Sequence, residues 1–230
     1  MRMRRLAGAA ALLLISLEAR VGTAGFPTPG FFMEFRVEAF SEGRRREERF
    51  RLLVAEDLGG ERRLLTLTVD GGAAYRAVYL SGPGEAGPFA RARFERVESR
   101  ENGHWQPLAL DEIELLTTLT GMQERLAAGR AEADSTFSIG GRQWPAQRYA
   151  LADSSESTQR SASVALTRQI VSRGRAWVCA ALPFGGWVRF EEERTARKVS
   201  EFGGRRYVSA PETSREVWTL VGVGERAANK

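Results

Sequence analysis

An uncharged stretch runs from Ala176 to Val188 in a chain of which 27% of the residues are charged. The stretch is shorter than the roughly 20 residues that a membrane-spanning helix needs. A proline and two glycines at 183–186 divide it, and apolar residues occupy both alternating faces of the part before them. The pattern therefore predicts a buried central strand over 175–182, a tight connection, and a second strand over 187–192.

Alternation of apolar and polar residues predicts further strands along the chain. The predicted strands are 31–40, 50–54, 65–69, 75–80, 91–99, 104–110, 135–139, 142–151, 164–171, 191–199 and 217–223. Polar or glycine-containing segments between them predict turns at 41–48, 57–60, 70–72, 102–103, 140–141, 173–174 and 203–204, and loops at 81–88 and 153–163. Consecutive strands at this spacing indicate an antiparallel sheet.

One amphipathic helix is predicted over residues 111–129. Asp111 is a candidate N-cap and Gly129 is suited to end the helix. The apolar residues that recur at helical spacing are Leu115, Leu119, Met122 and Leu126. In a β-rich chain this apolar stripe must lie on the sheet. The whole pattern predicts a mainly β fold, a single strongly curved antiparallel sheet or half-open β-barrel with a helix packed on its concave face.

The first 24 residues have the pattern of a secretory signal peptide. Three arginines precede an apolar run at 6–17, and Gly22-Thr23-Ala24 offers small residues for cleavage after Ala24. A retained membrane anchor is the alternative, although the run is short for a span. We expect a periplasmic or secreted protein whose mature chain, 25–230, forms one domain and does not span the membrane.

Charge and cysteine content narrow the possible partners. The net charge of +5 falls to +2 when residues 1–24 are removed, because that segment holds four arginines and one glutamate. A nucleic-acid partner is therefore not predicted. Cys179 is the one cysteine of the chain, so no internal disulfide can form. On an uncharged strand it is predicted to be a small core residue rather than a reactive thiol.

Residues suited to catalysis are few. With one histidine, His104, and one cysteine, a zinc site of nitrogen and sulfur ligands cannot be built within one chain. No nucleophile-elbow pattern accompanies His104, and no glycine-rich segment opens a helix as a phosphate-binding loop does. The acidic residues at 111–112 and 191–193 could serve glycoside hydrolysis, but helix capping and a charged strand exit explain them better. We expect no enzyme activity, no metal and no cofactor.

The chain is rich in aromatic residues, with 5 tryptophans and 12 phenylalanines. The simpler explanation is that they form the core between sheet and helix. The alternative is that the curved sheet leaves an apolar hollow under the helix, which holds an acyl chain or a similar ligand. The candidate ligand-binding residues are Trp144, Trp177, Phe184, Trp187, Leu119 and Met122.

Two short motifs carry a family resemblance. Residues 138–146 read Ser-Ile-Gly-Gly-Arg-Gln-Trp-Pro-Ala after the predicted helix, and residues 182–188 read Leu-Pro-Phe-Gly-Gly-Trp-Val. In these segments the C-terminal half resembles exported bacterial proteins of the outer-membrane lipoprotein carrier (LolA/LolB-like) superfamily. The resemblance implies an open β-barrel with a helical lid, located in the periplasm, that holds lipid or a lipid-modified protein. No ligand-contacting residue of that family can be matched to a position here.

These observations lead to an expected function and two alternatives. We expect an exported, non-catalytic protein that binds or carries an apolar small molecule or lipid. The first alternative is a structural or protein-interaction module of the cell envelope, with a fully packed core and an envelope protein as its partner. The second is a hydrolase that depends on His104.

Overall fold

The computed structural model describes residues 27–70, 72, 74–80, 93–113, 116, 118, 125–126, 129–161 and 164–225. Strands account for most of these ranges, and short 3-10 turns lie at Leu110–Glu112 and Phe184–Gly186. The strands are β1 (Phe31–Ser41), β2 (Arg44–Gly59), β3 (Arg62–Val69), β4 (Ala74–Leu80), β5 (Phe94–Glu101), β6 (His104–Pro107), β7 (Arg130–Ile139), β8 (Arg142–Arg160), β9 (Val164–Val178), β10 (Trp187–Phe202), β11 (Arg205–Val208) and β12 (Glu212–Glu225).

All of these strands belong to one 12-stranded sheet in which neighbours are antiparallel. The order is β6-β5-β4-β3-β2-β1-β12-β10-β9-β8-β7, and β11 pairs with β10 beside this path. Since β1 pairs with β12, the first and last strands meet in the interior of the sheet. The sheet is open, with β6 and β7 at its two ends. The predictions of a mainly β chain and of a single antiparallel sheet are confirmed.

The sheet bends strongly where β7 returns toward β12. In the strand order β7 lies four steps from β12, which is about 19 Å in a flat sheet at about 4.8 Å per step. At the turn between β7 and β8, however, a Cβ atom placed on Gly140 would lie 3.9 Å from the carbonyl oxygen of Val223 in β12. A flat sheet cannot make this approach, so the last strands curl over.

Strand register collects the apolar residues on one face, which we call the inner face. Across the strands, Phe35 lies opposite Leu220, Trp218 opposite Phe190, and Phe190 opposite Ala176, so their side chains share this face. Its buried residues are Met33, Phe35, Val37, Leu52, Val54, Leu65, Leu67, Ala77, Val97, Leu151, Ala176, Phe190, Trp218 and Leu220. The core therefore extends across the sheet from β5 to β8.

The predicted strand at 175–182 is in fact the end of a longer strand. β9 runs over Val164–Val178 between β8 and β10, which confirms a central strand, but the predicted turn at 173–174 and the strand beyond Val178 are wrong. β9 continues through Gly174 because the backbone of Glu191 packs closely against this position. A Cβ atom on residue 174 would collide with the carbonyl oxygen of Glu191, so a side chain does not fit there. Residues 179–186 form a turn in which Cys179, Leu182, Phe184 and Gly186 are buried and Ala180 and Ala181 are exposed. The N–H of Cys179 donates to the Gly186 carbonyl at 2.8 Å.

Two polar segments predicted as a turn and a loop are largely strand. Residues 41–48 contain only a short turn at Glu42-Gly43, and β8 continues through residues 153–160 of the predicted loop. Both segments are exposed on the two faces of the sheet, so no apolar alternation marks them. Polar cross-strand pairs support the ladder instead. The hydroxyls of Thr158 and Thr167 lie 3.0 Å apart, and Gln169 donates to Glu156 at 2.8 Å.

Several predicted segments lie outside the described residues. These are the signal peptide at 1–24, the loop at 81–88 and most of the helix at 111–129. No helix is established as an element in the described ranges, so a helix packed on the sheet is not supported. A 3-10 turn occupies Leu110–Glu112, where the helix is predicted to begin. Among the residues that the structure describes, no helix has the length and apolar character required to cross a membrane.

Candidate functional site

The first candidate site is the inner face together with the part of residues 113–129 that packs on it. Ile113 and Leu116 are buried in the core, and Leu126 packs against it. Gly129 lies against Leu151 of β8, since a Cβ atom on this glycine would be 2.9 Å from Leu151 Cδ2. The described residues of 113–129 therefore cover the inner face.

A buried ion pair fastens this segment to the sheet. The side chain of Glu192 on β10 is 1% exposed, and its Oε1 atom lies 2.6 Å from Arg125 Nη2. Its Oε2 atom lies 2.6 Å from Arg194 Nη2. The Arg125 guanidinium also lies 5.7 Å from the ring centroid of Phe190, next to Glu192 on the inner face. Because a buried carboxylate needs charged or hydrogen-bonding partners, Arg125 and Glu192 hold the segment in place.

The aromatic residues predicted to bind a ligand are buried, but the structure divides them between places. Trp187 lies on the inner face, because it pairs with Val178, whose side chain shares a face with Ala176. Trp177 follows Ala176 directly and points to the opposite face, below the Arg189 guanidinium at 5.8 Å. The structure therefore does not bring Trp177 and Trp187 together.

The other predicted ligand-binding residues lie elsewhere. Trp144 donates from its indole nitrogen to the carbonyl of Ile139 at 3.3 Å. It lies opposite Phe137, whose ring is 6.2 Å from that of Trp177. Phe184 lies in the 3-10 turn before β10, with its ring 6.4 Å from that of Phe31. Leu119 and Met122 are outside the described residues.

Within the described part of the chain, two buried polar groups on the inner face have neither a hydrogen bond nor an ion pair. Trp187 is 2% exposed, and its indole Nε1–H has no acceptor among the residues that the structure describes. The hydroxyl of Ser99, on β5 opposite Tyr75, is also buried without a partner. Most buried donors in proteins are satisfied, so each of these positions is suited to a polar atom of a bound molecule. A carbonyl or carboxylate oxygen would satisfy the indole N–H.

The second candidate site is a groove at the far end of the long strands. It lies between the turn after β8 and the turn after β10, with a volume of about 480 Å³. Among its lining residues are Arg160, Val164, Glu201, Phe202, Arg205 and Arg206. The groove therefore combines guanidinium groups with apolar surface.

One carboxylate has a clearly shifted pKa. Glu98 on β5 accepts a hydrogen bond from Arg76 Nε at 2.6 Å, and Arg96 Nε lies 3.4 Å away. The hydrogen bond from Arg76 lowers the pKa of Glu98 below its ordinary value of 4.5, against the opposing effect of burial, and the charges of both arginines lower it further. Glu98 is thus a structural, ionised carboxylate.

The described residues show no catalytic constellation. His104 is exposed on the edge strand β6, and Cys179 is buried and unpaired at 1% exposure. Within the described ranges, no group of three or more histidine, cysteine, aspartate or glutamate side chains is placed to hold a metal ion. Glu191 and Glu192 point to opposite faces of β10 and are engaged by arginines.

Comparison with known proteins leaves the family open. No protein-family model matches the chain, and no curated protein matches it. The resemblance to lipoprotein carriers therefore stays a prediction.

Sequence reasoning missed the residues that organise the first site. The acidic run at 191–193 was interpreted as a charged strand exit, but Glu192 alternates with Phe190 and so shares its buried face. This alternation was visible in the sequence. Its partner Arg125 was not, because the contact joins positions that are 67 residues apart in the chain.

Proposed function

We propose that this protein is an exported, non-catalytic binding protein for an apolar ligand such as a lipid or an acyl chain. The ligand lies between the inner face of the sheet and residues 111–129, which we propose form a helical lid. The observation that carries the proposal is the buried indole N–H of Trp187, which has no hydrogen-bond partner among the described residues and lies on a largely apolar face. A carbonyl or carboxylate oxygen at the head of an acyl chain satisfies this donor while its hydrocarbon contacts the apolar side chains.

The architecture supports this use. An open sheet whose inner face is largely apolar from β5 to β8 provides a surface for hydrocarbon on either side of the Glu192–Arg125 ion pair. The covering segment is attached through Arg125 and Glu192 rather than through a strand. A segment held by a local ion pair can separate from the sheet without breaking the β ladder, and this gives a ligand a route to the inner face.

The test is a direct binding measurement on the mature protein. We expect native mass spectrometry to detect bound lipid after purification from the producing cells, and a fluorescent fatty acid to bind with blue-shifted emission. Trp187→Phe should weaken that binding about 2- to 12-fold, the equivalent of one hydrogen bond of about 0.5–1.5 kcal/mol. Trp218→Phe is the matched control, because the Trp218 indole on the same face already donates to Glu216.

Two outcomes would contradict the proposed ligand binding or the role of Trp187 in it. A mature protein that carries no lipid and binds no fluorescent fatty acid contradicts the proposed function. Equal losses in the two tryptophan variants would contradict the role of the Trp187 donor.

The second candidate is an interaction module of the cell envelope with a fully packed core. The observation in its favour is that large exposed apolar side chains lie at the end of the long strands, away from the inner-face core. Pull-down from envelope extracts separates the two candidates, because only this one requires a stoichiometric protein partner.

A further inference from the structure

The long strands end in a region that carries exposed apolar residues. We define the distal end as residues 160–166, excluding 162–163, together with residues 198–208. Phe202 is 56% exposed, Tyr207 is 55%, Val208 is 55% and Leu166 is 38%. Aromatic and aliphatic side chains so exposed cost free energy in water, and several of them at one end of a sheet mark a contact surface.

The same region carries three arginines that line its groove. Arg160, Arg205 and Arg206 line the groove of about 480 Å³ together with Phe202, and none of the three has an ion pair within the described residues. Several arginines elsewhere in the sheet are paired with glutamates at short distance. Arg45 lies 2.6 Å from Glu38, for example. Glu201 also lines the groove and lies opposite Arg206 across β10 and β11. The three arginines outnumber this carboxylate, so the groove keeps an excess of positive charge.

The exposed apolar residues occupy both faces of this end. Tyr207 pairs with Ser200, which shares a face with Phe202, whereas Val208 pairs with Val199 and points to the other face. A protein partner that packs on a single face of the sheet would leave part of this set exposed. A lipid bilayer surrounds an inserted tip from all sides, so it can cover both faces at once.

We propose that the distal end docks on the surface of an anionic lipid bilayer. Phe202 and Tyr207 enter the interfacial layer, where aromatic side chains are favoured. Arg160, Arg205 and Arg206 bind the phosphate and other anionic headgroup oxygens, which guanidinium groups recognise through paired hydrogen bonds. This docking is independent of the proposed ligand at the inner face, because the two sites share no residues.

Vesicle co-sedimentation of the mature protein tests the proposal. We expect the protein to bind vesicles of phosphatidylcholine that contain roughly 30–40% phosphatidylglycerol, because their surface is strongly negative. We expect little binding to vesicles of phosphatidylcholine alone. The triple change Arg160→Gln, Arg205→Gln and Arg206→Gln should lower the partition coefficient on the order of 100-fold, at about fivefold for each arginine. High salt should have a similar effect.

Matched variants distinguish docking from general attraction of a basic protein. The triple change Arg45→Gln, Arg46→Gln and Arg49→Gln removes the same charge from β2, where these arginines are paired with glutamates. It should change binding less than fivefold. Equal losses in the two triple variants would overturn the proposal, as would equal binding to neutral vesicles or no binding to any vesicle.

A fluorescent reporter tests insertion separately. Phe202→Trp should show a blue shift and quenching by bromine-labelled lipids when anionic vesicles are added. Leu58→Trp, at a 41% exposed apolar position near the end of β2, is the control and should show neither change. The proposal is contradicted if the two reporters respond alike. The vesicle measurements need no ligand at the inner face. A negative vesicle result therefore does not contradict ligand binding at the inner face, and a protein that binds no such ligand can still dock on vesicles.

Discussion

The adjacent residues Glu191 and Glu192 allow a controlled test of how the covering segment is held. Both are glutamates on β10, and both are paired with arginines at 2.6 Å. The Glu192 side chain is 1% exposed on the inner face, whereas that of Glu191 is 24% exposed on the other face. The same substitution at the two positions therefore compares a buried and a solvated carboxylate.

The expected cost of Glu192→Gln follows from burial. Removing one partner of a fully buried ion pair costs about 3–5 kcal/mol, because the remaining charge is left uncompensated. Here the remaining charges are Arg125 and Arg194, whose side chains are 22% and 47% exposed, so water compensates part of the loss. We expect a loss of about 2–3 kcal/mol for Glu192→Gln, against about 0–1 kcal/mol for Glu191→Gln.

Equilibrium urea unfolding measures the difference. At a slope of about 2 kcal/mol/M, Glu192→Gln should lower the midpoint by roughly 1–1.5 M, and Glu191→Gln by less than about 0.5 M. Arg125→Met should be strongly non-additive with Glu192→Gln in a double-mutant cycle, with a coupling energy above about 1 kcal/mol. If Glu192→Gln costs no more than Glu191→Gln, or if the coupling is near zero, the ion pair does not hold the segment.

Three further predictions concern packing, pH and thiol access. Gly174→Ala should cost about 1–3 kcal/mol in urea unfolding because its Cβ meets backbone, whereas Gly222→Ala, with its nearest neighbour at 3.4 Å, should cost less. Because the pKa of Glu98 is lowered in the folded protein, its carboxylate stabilises the fold at pH values above the ordinary pKa of 4.5, and this stability is lost as the pH falls through the folded pKa. Glu98→Gln should therefore reduce the fall of the urea midpoint at acid pH. An unchanged dependence of the urea midpoint on pH would contradict the role of Arg76. The buried Cys179 thiol should react with a thiol reagent only as fast as the protein opens, and rapid native labelling would contradict its burial.

Local patterns predicted the half-buried strands well. Alternation identified β1 and β3 because one face of each strand is covered by the core and the other by water. The turns at Asn102-Gly103 and Gly140-Gly141 were also correct, since all three glycines adopt positive φ angles that other residues rarely accept. These features depend on near neighbours in the chain.

The same reasoning failed where both faces of a strand are exposed or both are buried. The serine-rich part of β8 carries no apolar alternation, yet it is a strand because its backbone pairs with β9. The uncharged stretch after Val178 is buried at Cys179, Leu182 and Phe184 but turns, because two glycines and a proline permit the compact 3-10 connection. In such segments the side-chain pattern contains no information about which backbone ladder the chain joins.

The amino-acid sequence by itself determined the mainly β class and the burial of the tryptophan-rich stretch, because these depend on local periodicity and on the scarcity of charge. Only the tertiary structure decided which aromatic residues share a face, that Glu192 meets Arg125, and that unpaired arginines gather beside Phe202 at the end of the long strands. Strand order and register bring distant positions together, and no short stretch of sequence encodes them.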